Sequence, residues 1–346
     1  MSENIRIAII LPVYNTAPYL RECLHSILNQ EHQNFVIFAI NDGSTDESKS
    51  ILEEYSHQSN KIRLTNISNS GVSFARNIAL EQIEQDGRFD LITFCDSDDI
   101  ISPKLLTTYA KTQKQLQTHF ITVGYQSFDK TGLLPKKQDM KHPPLLINDS
   151  SILKFGFSSY LKNSPARSKF TGNTCFDSKI ILGLRFDTSK KIAEDQDFRF
   201  RALLRCKKSV IISDLLYFYR IRKSSLSHSL TFNTADLSLY IEWLTQLNDI
   251  PISIKPTIEK LAFEQWQHCV KQAYELNVLE KHWGELKNFL NKIDAASEFT
   301  ITKYFSPKMI LLRCGPRMAS LYFKLIRRNQ NSQPISKKTK QLNSFD

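Results

Sequence analysis

Apolar positions over the first 125 residues switch between two periods. Ile5–Val13 (IRIAIILPV) is the near-continuous apolar run of a buried strand. Tyr19–Asn29 then sets Leu20, Cys23, Leu24, Ile27 and Leu28 at the i, i+3, i+4, i+7 and i+8 positions of one helical face. Phe35–Ile40 predicts a second strand, closed by the turn cluster Asn41-Asp42-Gly43-Ser44. Thr45-Asp46-Glu47-Ser48 opens a helix with a capping residue and early acids. Lys61–Ile67 predicts a third strand, Val72–Gln85 a third helix, and Leu91–Cys95 a fourth strand running into Asp96-Ser97-Asp98-Asp99. Pro103–Gln117 is again helical and Phe120–Tyr125 again a strand.

Strands that alternate with helices imply right-handed crossovers and an α/β, doubly wound, mostly parallel sheet. In such sheets ligands bind outside the carboxyl ends of the strands, which is where Tyr14-Asn15, Asp42-Gly43-Ser44 and Asp96–Asp99 fall. Residues 129–170 are polar and Pro-containing and read as loops around a short helix at Ile152–Leu161. Arg185–Asp187 reads as a short strand, Glu194–Cys206 as a helix and Ser209–Arg222 as one or two strands. From Asp236 to Leu290 the pattern is helical only. The expected organisation is a catalytic body over 1–230, a helical region over 231–330 and a polar, disordered tail over 331–346.

Composition narrows the function classes. With 41% hydrophobic and 23% charged residues the 346-residue chain is neither disordered throughout nor collagen-like. The net charge of +11 is concentrated at one end, because residues 301–346 carry ten Lys and Arg against Asp346 alone. The body is therefore almost neutral, which argues against a nucleic-acid-binding protein. The six cysteines lie far apart with no C-x-x-C pair, so no zinc site or disulfide framework is read and a reducing, cytoplasmic compartment is expected. No uncharged stretch approaches the ~18 residues of a membrane span. None of the ten glycines has G-x-G spacing, so neither a dinucleotide fingerprint nor a P-loop is present.

Several polar clusters remain as candidates, each with an ordinary alternative. Asp96, Asp98 and Asp99 are hard oxygen ligands suited to Mg²⁺ or Mn²⁺ on a diphosphate, or a solvated turn with Asp99 or Ser102 as a helix cap. Asp42 is a turn residue or the acceptor for an imide N–H such as that of uracil. Arg76 is placed on the face away from Ile78, Leu80 and Ile83, either solvated or reaching a phosphate or base. Glu194-Asp195-Gln196-Asp197 either complements a helix dipole or supplies a general base. Tyr217-Phe218-Tyr219-Arg220-Ile221-Arg222-Lys223-Ser224-Ser225 offers cations and hydroxyls to a diphosphate, or forms a basic surface loop.

In order, the elements Pro12-Val13-Tyr14-Asn15, Leu20-x-x-Cys23-Leu24-x-Ser26-Ile27-Leu28-x-Gln30, Asn41-Asp42-Gly43-Ser44-Thr45-Asp46, Gly71-Val72-Ser73-x-Ala75-Arg76-Asn77 and Asp96-Ser97-Asp98-Asp99 resemble the family 2 glycosyltransferases of GT-A fold. The ordered set over residues 5–105 is specific; a weaker second half, Glu194-Asp195 and Tyr219-Arg220 through Ser227, extends the likeness to about 230. The resemblance implies a nucleotide-sugar donor, most often UDP-linked, with Asp42 on the uracil, Pro12, Tyr14 and Asn15 along the nucleoside, and Arg76 assisting. It implies Asp96 near the ribose, Asp98 holding Mn²⁺ or Mg²⁺ with Asp99 beside it, and Asp195 as the base that deprotonates the acceptor hydroxyl. Arg220, Arg222, Ser224 and Ser225 would close over the leaving nucleotide.

One base and one displacement imply inversion at the anomeric carbon. The Q-x-x-R-W signature of the processive relatives does not occur, so transfer of one sugar to a saccharide of a surface glycan (lipopolysaccharide, capsule or similar) is expected. A sugar-nucleotide nucleotidyltransferase is the competing enzyme class, but Tyr14–Tyr19 is not the Gly-rich basic loop it would need. Lastly, Pro307–Arg328 pairs the apolar run Met309–Leu312 with a stripe of Met318, Leu321, Tyr322 and Leu325, widened by Phe323 and Ile326 and flanked by Arg317, Lys324, Arg327 and Arg328. That pattern suits a helix lying in an anionic membrane interface, and implies a peripheral protein on the inner face of the cytoplasmic membrane with a lipid-linked acceptor.

Overall fold

The computed structural model describes residues 5–133, 144–148, 171–222, 234–246, 255–296 and 315–331. The chain divides into two compact units, Met1–Ser227 and His228–Asp346. In the first, β1 (Ile7–Val13), α1 (Ala17–Leu28), β2 (Phe35–Asp42), α2 (Ser48–Gln58), β3 (Ile62–Ile67), α3 (Val72–Asp86) and β4 (Leu91–Phe94) alternate as the periodicity predicts. They are followed by β5 (Ile100–Ile101), α4 (Leu105–Leu116), β6 (Phe120–Asp129), β7 (Gly132–Leu133), β8 (Leu145–Asn148), β9 (Thr174–Asp177), α5 (Ser178–Ile181), α6 (Glu194–Leu204) and β10 (Lys208–Arg220).

The strands form one mixed sheet in the order β3-β2-β1-β4-β9-β6-β10-β5. β1 to β4 are mutually parallel, as are β6 and β10, and β9 runs antiparallel between β4 and β6. Every residue of β1 is buried, which explains its unbroken apolar run: a central strand is covered on both faces. Ile7, Ile9, Leu11 and Val13 share a core with Leu20, Cys23, Leu24 and Ile27 of α1, and α3 packs on β1 and β2.

A second cluster, of aromatic rings, fixes the route into α6. Phe94 of β4 meets Phe176, Phe186 and Phe198 edge-on at 5.6–5.9 Å, and Phe186 stacks flat on Phe198 at 4.0 Å. Such pairs contribute about 0.5–1.5 kcal/mol each beyond their buried area. They draw the start of α6 towards the carboxyl edge of the sheet.

Two local readings change and one is narrowed. Arg185–Asp187 is irregular and joins no strand, because the side chain of Asn77 satisfies both backbone groups of Phe186. The strand of this region is β9 instead, and β8 is a further four-residue strand pairing with β10. Ser209–Arg222 resolves into one strand with irregular register between Ile212 and Tyr217. The helix expected at Ile152–Leu161 and the tail over 332–346 lie outside the described residues.

The second unit is helical in its described residues, with α7 (Ala235–Gln246), α8 (Lys255–Glu275), α9 (Leu279–Ala296) and α10 (Pro316–Asn331). Trp266 of α8 is fully buried and donates its indole N–H to Leu286 O of α9 at 2.7 Å. α10 packs on α8 and α9 through buried Ala319 and through Phe323, which stacks on Tyr274 at 5.1 Å. This corrects the predicted stripe: Phe323 belongs to the packed side, Met318 and Tyr322 are half-buried, and the exposed side carries Arg317, Leu321 and Lys324. Met309–Leu312 and the side chains of Leu325 and Ile326 are outside the described set. Among the described residues no helix is long and apolar enough to cross a membrane.

Candidate active site

β1 pairs with β2 on one side and β4 on the other, so the loops that follow these strands lie at the carboxyl edge of the sheet, where ligands bind in sheets of this kind. Its three loops are stitched together by short polar side chains. Asn15 takes a left-handed backbone (φ 50°), and its Oδ1 accepts from the Thr45 N–H at 2.8 Å. Thr16 N–H donates to Ser48 Oγ at 2.9 Å, and Thr16 Oγ1 donates to Ser97 Oγ at 2.9 Å. The loops after β1, β2 and β4 thus form one edge. Tyr14 stands 47% exposed there, and Pro12 is buried opposite Ile40.

Asp42 ends β2 and is buried. Its two carboxylate oxygens accept the N–H groups of Ser70 at 2.7 Å and Gly71 at 2.9 Å, which fastens the start of α3. Gly71 holds φ 91°, a conformation that a residue with a Cβ resists.

The acidic loop after β4 separates into distinct roles. Asp99 is fully buried; it accepts from the Tyr217 hydroxyl at 2.6 Å and the Arg220 N–H at 2.8 Å, so both its oxygens are used inside the protein. Burial, then the charges of Asp96 and Asp98, push its carboxyl well above the usual range. This geometry makes Asp99 a tie between the loop and β10. Asp98 keeps an accessible edge and pairs with Arg222 Nε at 2.6 Å. Burial and then Asp96 raise its carboxyl, while Arg222 opposes them.

Arg220 is engaged through its backbone N–H, Nε and Nη2. Its Nε donates to Asp98 O at 2.7 Å, its Nη2 meets Glu22 Oε2 at 2.6 Å, and its guanidinium lies 4.3 Å from the Phe128 ring. Ser224 and Ser225 lie outside the described residues.

A cluster of three carboxylates surrounds Arg76. Its Nη1 bonds Asp195 Oδ1 at 2.7 Å and Glu194 Oε1 at 3.2 Å, and its Nη2 bonds Asp96 Oδ1 at 3.0 Å. The side chain is 3% exposed, which removes the solvated alternative and the placement away from Leu80 and Ile83. Arg76 in fact lies i−4 and i−7 from Leu80 and Ile83, on the buried side of α3. Removing one member of such a buried group strands the rest, at about 3–5 kcal/mol.

Thr171 Oγ1 adds a 3.3 Å bond to Asp195 Oδ1. Burial pushes the Asp195 carboxyl up to about 7 against the pull of Arg76, with Glu194 and Asp96 adding to the rise. A carboxylate with that value can accept a proton at neutral pH far better than an exposed one. Ala193, which opens α6, sits at φ 66°, a left-handed conformation a non-glycine residue adopts at a cost.

Sequence reasoning gave no role of their own to Asn77 and Thr171, and set Tyr217 only within a segment facing a diphosphate, not against Asp99. Asn77 had a signal, since it follows Arg76 inside a recognised motif. The pairings of Thr171 with Asp195 and of Tyr217 with Asp99 had none, because the partners are 24 and 118 residues apart.

A model of the family described as Glycosyl transferase family 2 matches residues 8–192, more than half of the chain. The chain belongs to glycosyl transferase family 2. Its fold is of the GT-A type. It is 32% identical over 229 residues to Glycosyltransferase GlyA of Streptococcus pneumoniae, a match covering 66% of this chain and 32% of GlyA. It is 29% identical over 226 residues to the minor teichoic acid biosynthesis protein GgaA of Bacillus subtilis, covering 62% of this chain and 47% of GgaA. The chain therefore spans between a third and a half of the length of these two relatives. Among solved structures, residues 1–349 of TarS from S. aureus in complex with UDP-GlcNAc superpose with a TM-score of 0.68 at 19% identity. That superposition covers 91% of this chain and 88% of the other, and the likeness is one of fold. The family match ends two residues before Glu194, so the base candidate and β10 rest on the geometry above.

Proposed function

We propose that this family 2 glycosyltransferase transfers one sugar, with inversion, from a UDP-sugar to a saccharide hydroxyl of a cell-surface glycan. The observation that carries the reading is the buried Arg76–Asp195–Glu194–Asp96 cluster, which brings a raised-pKa carboxylate beside the acidic loop at the ligand-binding edge. The UDP-GlcNAc complex of TarS supports the donor class, and the names of relatives such as GgaA support the surface-glycan acceptor.

In this reading Tyr14 offers its exposed ring to the nucleoside, and the Asp42 end of β2 forms the floor for the base. Asp195 accepts the proton of the acceptor hydroxyl as the oxygen attacks the anomeric carbon from the face opposite the departing nucleotide. Arg222 leaves Asp98 and turns to the diphosphate as the donor enters. Holding both sugars in line supplies much of the acceleration.

The residues fit a divalent cation in part. Asp98 and Asp96 are hard oxygen donors whose mutual repulsion a cation would relieve, while among the described residues no three His, Cys, Asp or Glu side chains converge on one point. Asp98 is the residue that would hold Mn²⁺ or Mg²⁺, and Asp99 is committed elsewhere. When bound, the cation would neutralise charge on the leaving diphosphate.

The exposed Arg317–Leu321–Lys324 side of α10, with the concentration of charge in residues 301–346, supports peripheral binding to an anionic membrane. A screen of UDP-, GDP- and TDP-sugars for hydrolysis and transfer, with and without Mn²⁺, tests the central reading: a UDP-sugar preference is expected, and turnover of none of them contradicts it.

A further inference from the structure

We propose that Arg76 is a positioning residue for Asp195, fixing the direction and charge of the base and tying it to Asp96 at the donor edge, and that it does not itself contact the donor. The inference rests on the reading of Asp195 as the base.

Three observations lead to it. First, both terminal nitrogens of the guanidinium are taken by carboxylates at 2.7–3.2 Å, the side chain is 3% exposed, and the Phe186 ring lies 5.2 Å from its central carbon. Only Nε has no partner among the described residues, and it is buried. A phosphate approaching Arg76 would meet three carboxylates already in place. Like charges there would repel it.

Second, the bonds to Asp195 fall on a single oxygen. Arg76 Nη1 and Thr171 Oγ1 both address Oδ1, and among the described residues no hydrogen bond reaches Oδ2, the atom left to take a proton. Two donors from different elements, α3 and the segment before β9, fix the plane of the carboxylate. A base held this way is fixed at one oxygen and keeps the other for the incoming proton, the positioning that general-base catalysis needs.

Third, the charges demand a cation. The charged groups facing Asp195 are Glu194 on its own helix, Asp96 from the loop after β4 and Arg76 from α3. Without Arg76 three carboxylates would share one largely buried space, and the base would retain its proton to higher pH. Because the same guanidinium holds Asp96, movement of Asp96 towards a bound donor would leave Arg76 less divided and the base more acidic.

The test uses the full chain carrying Arg76→Gln or Arg76→Lys, with rate–pH profiles at saturating donor and acceptor and donor affinity by calorimetry. For Arg76→Gln, kcat at pH 7 should fall about 100-fold and the acid limb should move up by more than about one pH unit, with donor Kd changed less than about threefold. Arg76→Lys keeps the charge but not the fork, so the limb should stay near its wild-type position while kcat falls with donor KM unchanged. An unmoved limb in Arg76→Gln, or a loss of donor affinity large enough to account for the lost activity, overturns the proposal. If Arg76→Gln does not fold, Arg76→Lys decides, and wild-type kcat in that variant overturns it. Asp195→Asn separates the two layers: if that variant keeps activity and the acid limb, the base assignment fails, not merely the role of Arg76.

Discussion

Asn77→Ala probes how the segment leading to the base is held. The Asn77 Nδ2 donates to Phe186 O at 2.9 Å and its Oδ1 accepts from the Phe186 N–H at 2.7 Å, closing a contact across 109 residues. Both residues are buried, so alanine leaves a buried N–H and a buried C=O with no partner and no water. Each such group costs about 1–3 kcal/mol, and alanine's better helix propensity returns about 0.5 kcal/mol. The expected loss is therefore about 2–5 kcal/mol, readable as a lower urea midpoint at unchanged slope. Gln82→Ala, on the same helix, removes a single bond to Thr65 Oγ1 of 2.9 Å and should cost under about 1 kcal/mol. Since Phe186 stacks on Phe198 of α6, Asn77→Ala should also reduce transfer more than donor affinity. A midpoint shift for Asn77→Ala no larger than that for Gln82→Ala would refute the reasoning.

With the Asp195 carboxyl near 7, the ionised fraction that can act as base falls about tenfold per pH unit below that value, so kcat should rise about tenfold between pH 6 and pH 8 and then level; a flat profile over that range contradicts it. Asp98→Ala should abolish metal-dependent UDP binding, measured by calorimetry with and without Mn²⁺, while the thermal melt stays within a few degrees of wild type; wild-type activity in excess EDTA removes the metal role. Arg317→Glu with Lys324→Glu in the full chain should weaken co-sedimentation with anionic vesicles by about 1 kcal/mol per charge removed, more so at low salt, and leave zwitterionic vesicles unaffected; equal binding to both vesicle types counts against membrane attachment.

The alternation from β1 to α4 was legible because a buried strand and an amphipathic helix have different periods, and each segment was long enough to show its own. The segments that were not legible are short and owe their state to partners distant in sequence. Thr174–Asp177 is four residues long and is a strand because β4 and β6 flank it. Arg185–Asp187 has strand-like composition, yet Asn77 takes the bonds that a neighbouring strand would have made.

At the candidate site the residue types and their loops were readable, but not which carboxylate does what. Asp98 and Asp99 are adjacent and alike in one dimension, and β10 separates them by donating Tyr217 and the Arg220 N–H to Asp99 alone. Arg76 was placed on the wrong face because a cation at an i−4 position to Leu80 looks misplaced until Glu194 and Asp195 arrive 118 and 119 residues later.

The central claim is that Asp195 takes the proton of the acceptor, and one substitution measures it most directly. Asparagine keeps the size of Asp195 and a carbonyl oxygen for Arg76 and Thr171, but has no basic oxygen. Donor affinity by calorimetry and transfer rate by product formation are compared in wild type and Asp195→Asn, each checked for an unchanged melt. The account predicts donor Kd within about threefold of wild type and kcat lower by about 10²–10⁴-fold, the usual worth of a positioned base. Wild-type turnover, or a loss of donor affinity that accounts for the whole loss of activity, would contradict it.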